Sequence, residues 1–283
     1  MKTIPVFYSP KMVADSRSMS PSAAKPEKVV ASWKERGFPI EVIEPVPVTV
    51  EQLKSVHDVD FVDGVLSSRI ENGFGNKSAE VAASLLYTNG SMLSAARHAL
   101  ATKSAVAAPC SGFHHAGTMS SEGYCTFNGL IVTAKALIDE GVKKVGILDF
   151  DMHYGNGTAQ MIIDSNMQDE VLHYTAGEYF TEPDQAKHFF ELLPHIVFTM
   201  SKCDVVLYQA GADPHINDPY GGWLSTDELR IRDSIVFDVL SKYNVPVAWN
   251  LAGGYQTEKD GSIPKVLEIH DNTMRECVRV YCR

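Results

Sequence analysis

Two hydrophobic periods share this chain. Short aliphatic and β-branched runs, Ala105 to Ala108, Val145 to Phe150, Asp204 to Gln209 and Pro246 to Leu251, read as buried strands. Polar, mostly glycine-containing loops follow them, and Gly129 to Asp139 and Thr226 to Leu240 then carry apolar residues at helical spacing. Upstream, Ile4 to Tyr8 and Ile40 to Ile43 read as further strands, and Pro26 to Arg36 as a helix stopped by Gly37. Val50 to Val56 and Ser91 to Leu100 read as helices, while Asp63 to Lys77, with three glycines among polar residues, reads mostly as loop. Strands alternating with helices imply a mostly parallel central sheet covered on both faces, an α/β sandwich. Ligands of such sheets collect at the carboxyl ends of the strands. The four polar loops lie at those ends, so they are expected to meet at one rim.

Composition narrows the class. No shift along the 283 residues marks a boundary, so a single domain over 1–283 is expected. Thirty-five acidic against 25 basic side chains give a formal net charge of -10, which argues against nucleic-acid binding. The five cysteines lack CxxC spacing and read as free thiols in a reducing compartment. The amino-terminal stretch has no signal-peptide core and no run approaches the roughly 20 apolar residues of a membrane span. A cytoplasmic protein with no membrane partner is therefore expected, its oligomeric state open.

The chemistry concentrates in the loops. In VGILDFDMHYGNGTAQ, residues 145 to 160, Asp149, Asp151 and His153 follow an apolar strand, and they share one face if the extended geometry runs on through His153. Metal ligation and capping of the next helix both suit such acids. His114 and His115 suit acid and base work, because imidazole titrates near neutral pH, although paired histidines are also common as structural groups. Asp213 closes an apolar strand and is costly to bury unless paired or metal-bound, whereas Asp218 reads as a turn cap. Gly253 and Gly254 permit a tight turn that would aim Tyr255 into the rim. Two carboxylates, an imidazole, two further imidazoles and a phenol at one edge fit metal-assisted hydrolysis of an amide.

Four blocks, GFHHAG at 112–117, LDFDMHYGNGTAQ at 148–160, GADPHINDPYGG at 211–222 and LAGGYQ at 251–256, resemble the signatures of the zinc-dependent histone deacetylase superfamily, which includes bacterial acetylpolyamine amidohydrolases. The likeness covers nearly the whole chain in order and looks closer to class II and bacterial members than to class I. It implies an arginase-like three-layer α/β sandwich. It further implies Zn2+ held by Asp151, His153 and Asp213, His115 as general base, and His114 paired with Asp149 as electrostatic support. Asn156 matches the partner of His115, where other members carry Asp, and Tyr255 matches the donor to the acetyl carbonyl. Gly123 and Tyr124 match a Gly-Phe pair lining the substrate tunnel, with Tyr179 and Phe180 as the opposite wall. The family's K+ would draw on Asp149, Asp151 and the His153 backbone, with oxygens near Val171 and Leu172.

The resemblance implies an acylated amine as substrate, either acyl-lysine or an acetylpolyamine. A missing loop insertion favours an open site for acyl-lysine side chains. Against a protein substrate, the stretch Glu71 to Lys77 has no Asp where many protein deacetylases clamp the substrate backbone. Tyr154 replaces a second histidine and is expected to pack behind the metal. An arginase-like two-metal centre would need an acid at Gly155, and a silent acyl-lysine reader would have lost His115, Tyr255 or a zinc ligand.

Overall fold

The computed structural model describes residues 2–282. Among these residues the chain runs β1 (Ile4–Phe7), α1 (Lys25–Glu35), β2 (Ile40–Ile43), α2 (Val50–Lys54), α3 (Val59–Leu66), α4 (Ala79–Thr102), β3 (Ala105–Ala108) and α5 (Gly129–Asp139). It continues through β4 (Val145–Asp149), α6 (Asn156–Asp164), β5 (Val171–Thr175), α7 (Ala186–Thr199), β6 (Val205–Gln209), α8 (Thr226–Lys242), β7 (Val247–Asn250) and α9 (Pro264–Tyr281). The strands form one seven-stranded sheet in the order β2-β1-β3-β7-β6-β4-β5, and every pairing is parallel.

Alternation along the strands divides the interior into two apolar layers. Ala105, Leu148, Val206, Tyr208, Val247 and Trp249 face α1, α7, α8 and α9. Val106, Ile147, Val205, Leu207 and Ala248 face α2 to α6. The central strands β3, β4, β6 and β7 are buried on both faces, which is why they read as unbroken apolar runs rather than alternating ones. The edge strands β2 and β5 are only partly buried, and they keep polar residues such as Glu41 and His173.

The structure corrects the sequence reading locally. The strand containing Asp149 ends there, and residues 151–153 form a bend. Asp149, Asp151 and His153 therefore do not share one strand face. The stretch 63–77 is not loop from its start, because α3 runs to Leu66 with Gly64 inside it and Ile70 folded back onto that glycine. The helix placed at 91–100 spans 24 residues, from an N-cap at Ser78 that accepts from the Val81 N–H to a left-handed Lys103. Because β3, β7, β6 and β4 are neighbours and parallel, their carboxyl ends deliver the four motif loops side by side.

Candidate metal centre and active site

Asp151, His153 and Asp213 offer ligand atoms that all lie within 4.8 Å of one another. His153 Nδ1 is 3.2 Å from Asp151 Oδ1 and 3.2 Å from Asp213 Oδ2. Tetrahedral bonds of the usual zinc lengths place neighbouring ligand atoms roughly 3.3 Å apart, so the three atoms fit such an ion with one position left for water or substrate. Without a cation this cluster is electrostatically frustrated. Burial and the charge of Asp151 push Asp213 up to about 7. Burial also works against Asp151, but His114 and His153 hold it well below the usual carboxylate range. Hydrogen bonds to both carboxylates raise His153 to about 10. The donor set therefore fits a divalent ion.

Two histidines stand on the β3 side, and their partners differ. His114 Nδ1 lies 2.7 Å from Asp149 Oδ2, while Asp149 Oδ1 accepts from the Asp151 N–H and from Gln209. Burial opposes a charged His114, yet Asp149 and Asp151 outweigh it and raise the ring to about 9. His115 Nδ1 lies 2.6 Å from Asn156 Oδ1, and the Asn156 amide donates in turn to Glu122 at 3.4 Å. An amide oxygen only accepts, so the proton is assigned to Nδ1 and the Nε2 lone pair is left for substrate. Burial first, and the neighbouring His114 second, lower the pKa of His115, which keeps it neutral and able to accept a proton.

The phenol comes from the loop after β7. Gly253 has φ +51°, and a Cβ there would fall 2.1 Å from the Asp213 carboxylate, so only glycine lets the turn pass the metal ligand. Burial, then the charges of Asp213 and Asp151, push Tyr255 well above the usual phenol value, so it remains a donor. A cavity of about 190 Å³ is lined by His115, Gly123, Tyr124, His153, Tyr220 and Tyr255. Gly123 holds φ +53°, and its α-carbon presses on His115 so closely that a Cβ would lie 2.4 Å from the ring. Tyr124 follows at φ +63° and forms one wall of this cavity. Positive φ at a bulky residue is costly, and such strain gathers at functional sites.

Every residue expected to bind metal, act on a proton or line the tunnel at 123–124 thus converges on one rim, and several other expectations fail. Tyr179 and Phe180 do not form the opposite wall: Tyr179 stacks on Tyr174 while Phe180 packs on Phe189 and Trp223. That wall is Tyr220, whose hydroxyl meets that of Tyr124 at 2.8 Å. Val171 and Leu172 pair with Val145 and Gly146 at the far end of the sheet, so they cannot contribute to a potassium site beside Asp149, which is level with Thr175. Tyr154 is 40% exposed and does not pack behind the metal.

Three groups escaped the sequence reading. Lys25 is fully buried, its ammonium donates to the Gly253 carbonyl, and burial lowers it to about 8. Arg232, also fully buried, donates to the carbonyls of Phe150 and Gly211, each two residues or fewer before a metal ligand. Asp218 caps its turn as expected, but its second oxygen accepts from the Tyr255 N–H. Only Arg232 left a signal: with Leu229, Asp233, Val236 and Leu240 it lies on the buried stripe of α8, where an unpaired charge is not tolerated.

Comparison with known proteins identifies the family and the fold. The histone deacetylase domain family matches residues 20–176. An uncharacterized protein of Picosynechococcus sp. is 26% identical over 244 residues, 77% of this chain and 79% of that protein. The acetylpolyamine amidohydrolase of Mycoplana ramosa is 34% identical over 129 residues, 44% of this chain but 37% of that enzyme. Among solved structures, an acetylpolyamine aminohydrolase from Burkholderia pseudomallei superposes with a TM-score of 0.75 at 16% identity, covering 98% of this chain and 99% of that one. The HDA15 HD domain gives 0.74 at 19% identity, covering 99% and 88%. At those identities the two structures establish the fold alone. The matched segment carries His114, His115, Asp149, Asp151, His153 and Asn156, and the chain belongs to the histone deacetylase domain family.

Proposed function

We propose that this protein is a zinc-dependent amidohydrolase that removes acetyl or another short acyl group from an amine, with the side chain of N-acyl-lysine as its principal substrate. The observation that carries the reading is convergence: His153 of the three-ligand cluster, a histidine held neutral by burial and a protonated phenol line one cavity. Deacetylase and amidohydrolase chemistry is also what the named relatives of the family perform by their descriptions.

When bound, a zinc ion supplies Lewis acidity, which makes an amide carbonyl more electrophilic and a water molecule more acidic. The chain's own groups do the rest. His115 Nε2 takes the proton of the attacking water and returns it to the leaving amine, while Asn156 keeps the ring turned and tautomerically fixed. Tyr255 donates to the carbonyl oxygen as charge develops there, the contribution that oxyanion donors make elsewhere. His114, held cationic by Asp149, stabilises negative charge developing at the same place without moving a proton. Tyr124 and Tyr220 flank the acyl-amine stem with aromatic faces and exclude water from it.

A second reading, an acetylpolyamine or another small acylated amine as substrate, is favoured by the rim. Glu71 to Lys77 places no Asp over the entrance, and Phe74 packs on Tyr124 instead, at 5.9 Å between ring centres. Turnover of zinc-loaded protein on acyl-lysine peptides and acetylpolyamines, beside a Tyr255→Phe control, tests both readings. Equal activity of that control would sink the mechanism. Far faster turnover of acetylputrescine would overturn the preference for lysine.

A further inference from the structure

The loop after β7 must aim Tyr255 with little help from its own sequence. Gly253 and Gly254 both hold positive φ, at +51° and +90°, so the turn gains its shape from residues that by themselves leave the backbone loosest. Something outside the loop has to fix it. Two buried side chains do so. The Lys25 ammonium holds the carbonyl of Gly253, and Asp218, from the loop after β6, reaches across 37 residues to accept from the Tyr255 N–H at 2.8 Å.

Asp218 engages more than one tyrosine. Its other oxygen accepts from the Tyr220 N–H at 3.1 Å. The rings of Tyr220 and Tyr255 meet edge to face, 4.8 Å apart and at 88°. The carboxylate is only 6% exposed and its own N–H is bound to the His215 carbonyl, so it has little freedom to follow a moving partner. A simple turn cap would account for the bond to Tyr220 alone. The bond to a residue in another loop, next to the donor that the reaction needs, is unnecessary for capping.

We propose that Asp218 is a positioning residue for deacylation, a single carboxylate that ties Tyr220 to Tyr255 and so holds the phenol where the amide oxygen will develop charge. The inference rests on the deacylase reading above. Burial pushes Asp218 up to about 6, which leaves it ionised at neutral pH with both oxygens free to accept. Asp218→Asn keeps size and shape but turns one acceptor into a donor facing an N–H.

The test is a double-mutant comparison on zinc-loaded protein with an acetyl-lysine peptide and acetylputrescine. Asp218→Asn is expected to lower kcat by about tenfold to a hundredfold while KM changes by less than about threefold, because a donor displaced by about 1 Å loses that much. In a Tyr255→Phe background the same substitution should change kcat by less than about twofold. Asp218→Glu, which retains charge and acceptors but not their place, should lose kcat similarly and serves the same comparison if Asp218→Asn does not fold. A readout free of turnover is amide exchange at Tyr255, expected to quicken by about tenfold or more in Asp218→Asn protein without metal. Equal losses in both backgrounds, or unchanged exchange, would overturn the role of Asp218 while leaving the deacylase reading in place. Full turnover by Tyr255→Phe would bring down both.

Discussion

Asn156 Oδ1 stands 2.6 Å from Nδ1 of His115, so a neutral amide orients the ring assigned to proton transfer. The pairing of His114 with Asp149 has a carboxylate in the corresponding place, and the two rings respond in opposite directions. Charge from Asp149 and Asp151 overcomes burial and lifts His114 to about 9. His115, without an adjacent carboxylate on Nδ1, stays below its ordinary value. Two adjacent imidazoles are thus divided into a fixed cation and a base: nearby carboxylates outweigh burial at His114, while burial and the charge of His114 prevail at His115.

Asn156→Asp tests that division. A carboxylate at this distance raises the imidazole pKa, so the acid limb of kcat/KM should move up by about one pH unit or more. At pH values below the new limb activity falls; above it the enzyme keeps or gains rate, since a stronger base takes the proton. The pH profile of kcat/KM for both proteins measures this. A limb that does not move would mean that His115 does not control it.

Metal binding should register in stability. Protons occupy His153 and Asp213 in the empty cluster, the first raised to about 10 and the second to about 7. An entering cation displaces them, so affinity must grow as pH rises from 6 to 8. Zinc at a hundred times its Kd adds about 2.7 kcal/mol, or roughly 4 to 5 °C in Tm for a domain of this size. Chelator-treated protein should show that rise on adding zinc, and Asp213→Asn should not. Equal shifts in the two would move the metal elsewhere.

Gly123→Ala separates activity from folding. The added methyl would lie 2.4 Å from the His115 ring, which must turn away from Asn156 or from the cavity. Left-handed backbone at alanine costs about 1 kcal/mol, while a displaced base costs about tenfold to a hundredfold in kcat/KM. A folded, zinc-binding variant with a small fall in Tm and a large fall in kcat/KM is expected. Melting curves and steady-state kinetics decide, and unchanged kinetics would show that the ring has room.

How much of this was legible depended on sequence distance. The central strands were visible because burial on both faces leaves apolar runs with polar residues only at their ends, as in Val145 to Asp149. Edge strand β5 was not, since VLHYT carries His173 and Tyr174 on a half-buried surface. The residues Asp151, His153, Asp213, His115 and Tyr255 could be grouped because each lies in the loop that follows a strand of one parallel sheet. Their supports could not. Lys25 and the carbonyl it holds are 228 residues apart, and no local pattern marks a lysine in the first turn of α1 for burial. Tyr220 was not singled out in the sequence, because the wall it forms depends on meeting the Tyr124 hydroxyl, 96 residues away.

His57 sets an acid limit on the fold. Its Nδ1 donates to the Gly117 carbonyl at 3.0 Å, and its Nε2 accepts from the Asn128 N–H at 3.0 Å. Asn128 caps α5 and also donates to the Ala116 carbonyl, so this imidazole anchors the loop that carries His114 and His115. Protonation would remove its acceptor. Burial lowers the folded pKa to about 4, against 6.5 for the free side chain. Between these values the unfolded chain binds a proton that the folded one refuses, so stability is intact above 6.5 and is lost as pH falls towards 4. The full difference corresponds to about 3 kcal/mol. His57→Gln offers a donor and an acceptor and does not titrate. Urea unfolding at pH 7 and at pH 4.5 should show the parent losing about 2 kcal/mol more than the variant across that interval. Equal losses would mean that His57 is already protonated in the fold, and the acid sensitivity would then belong to other groups.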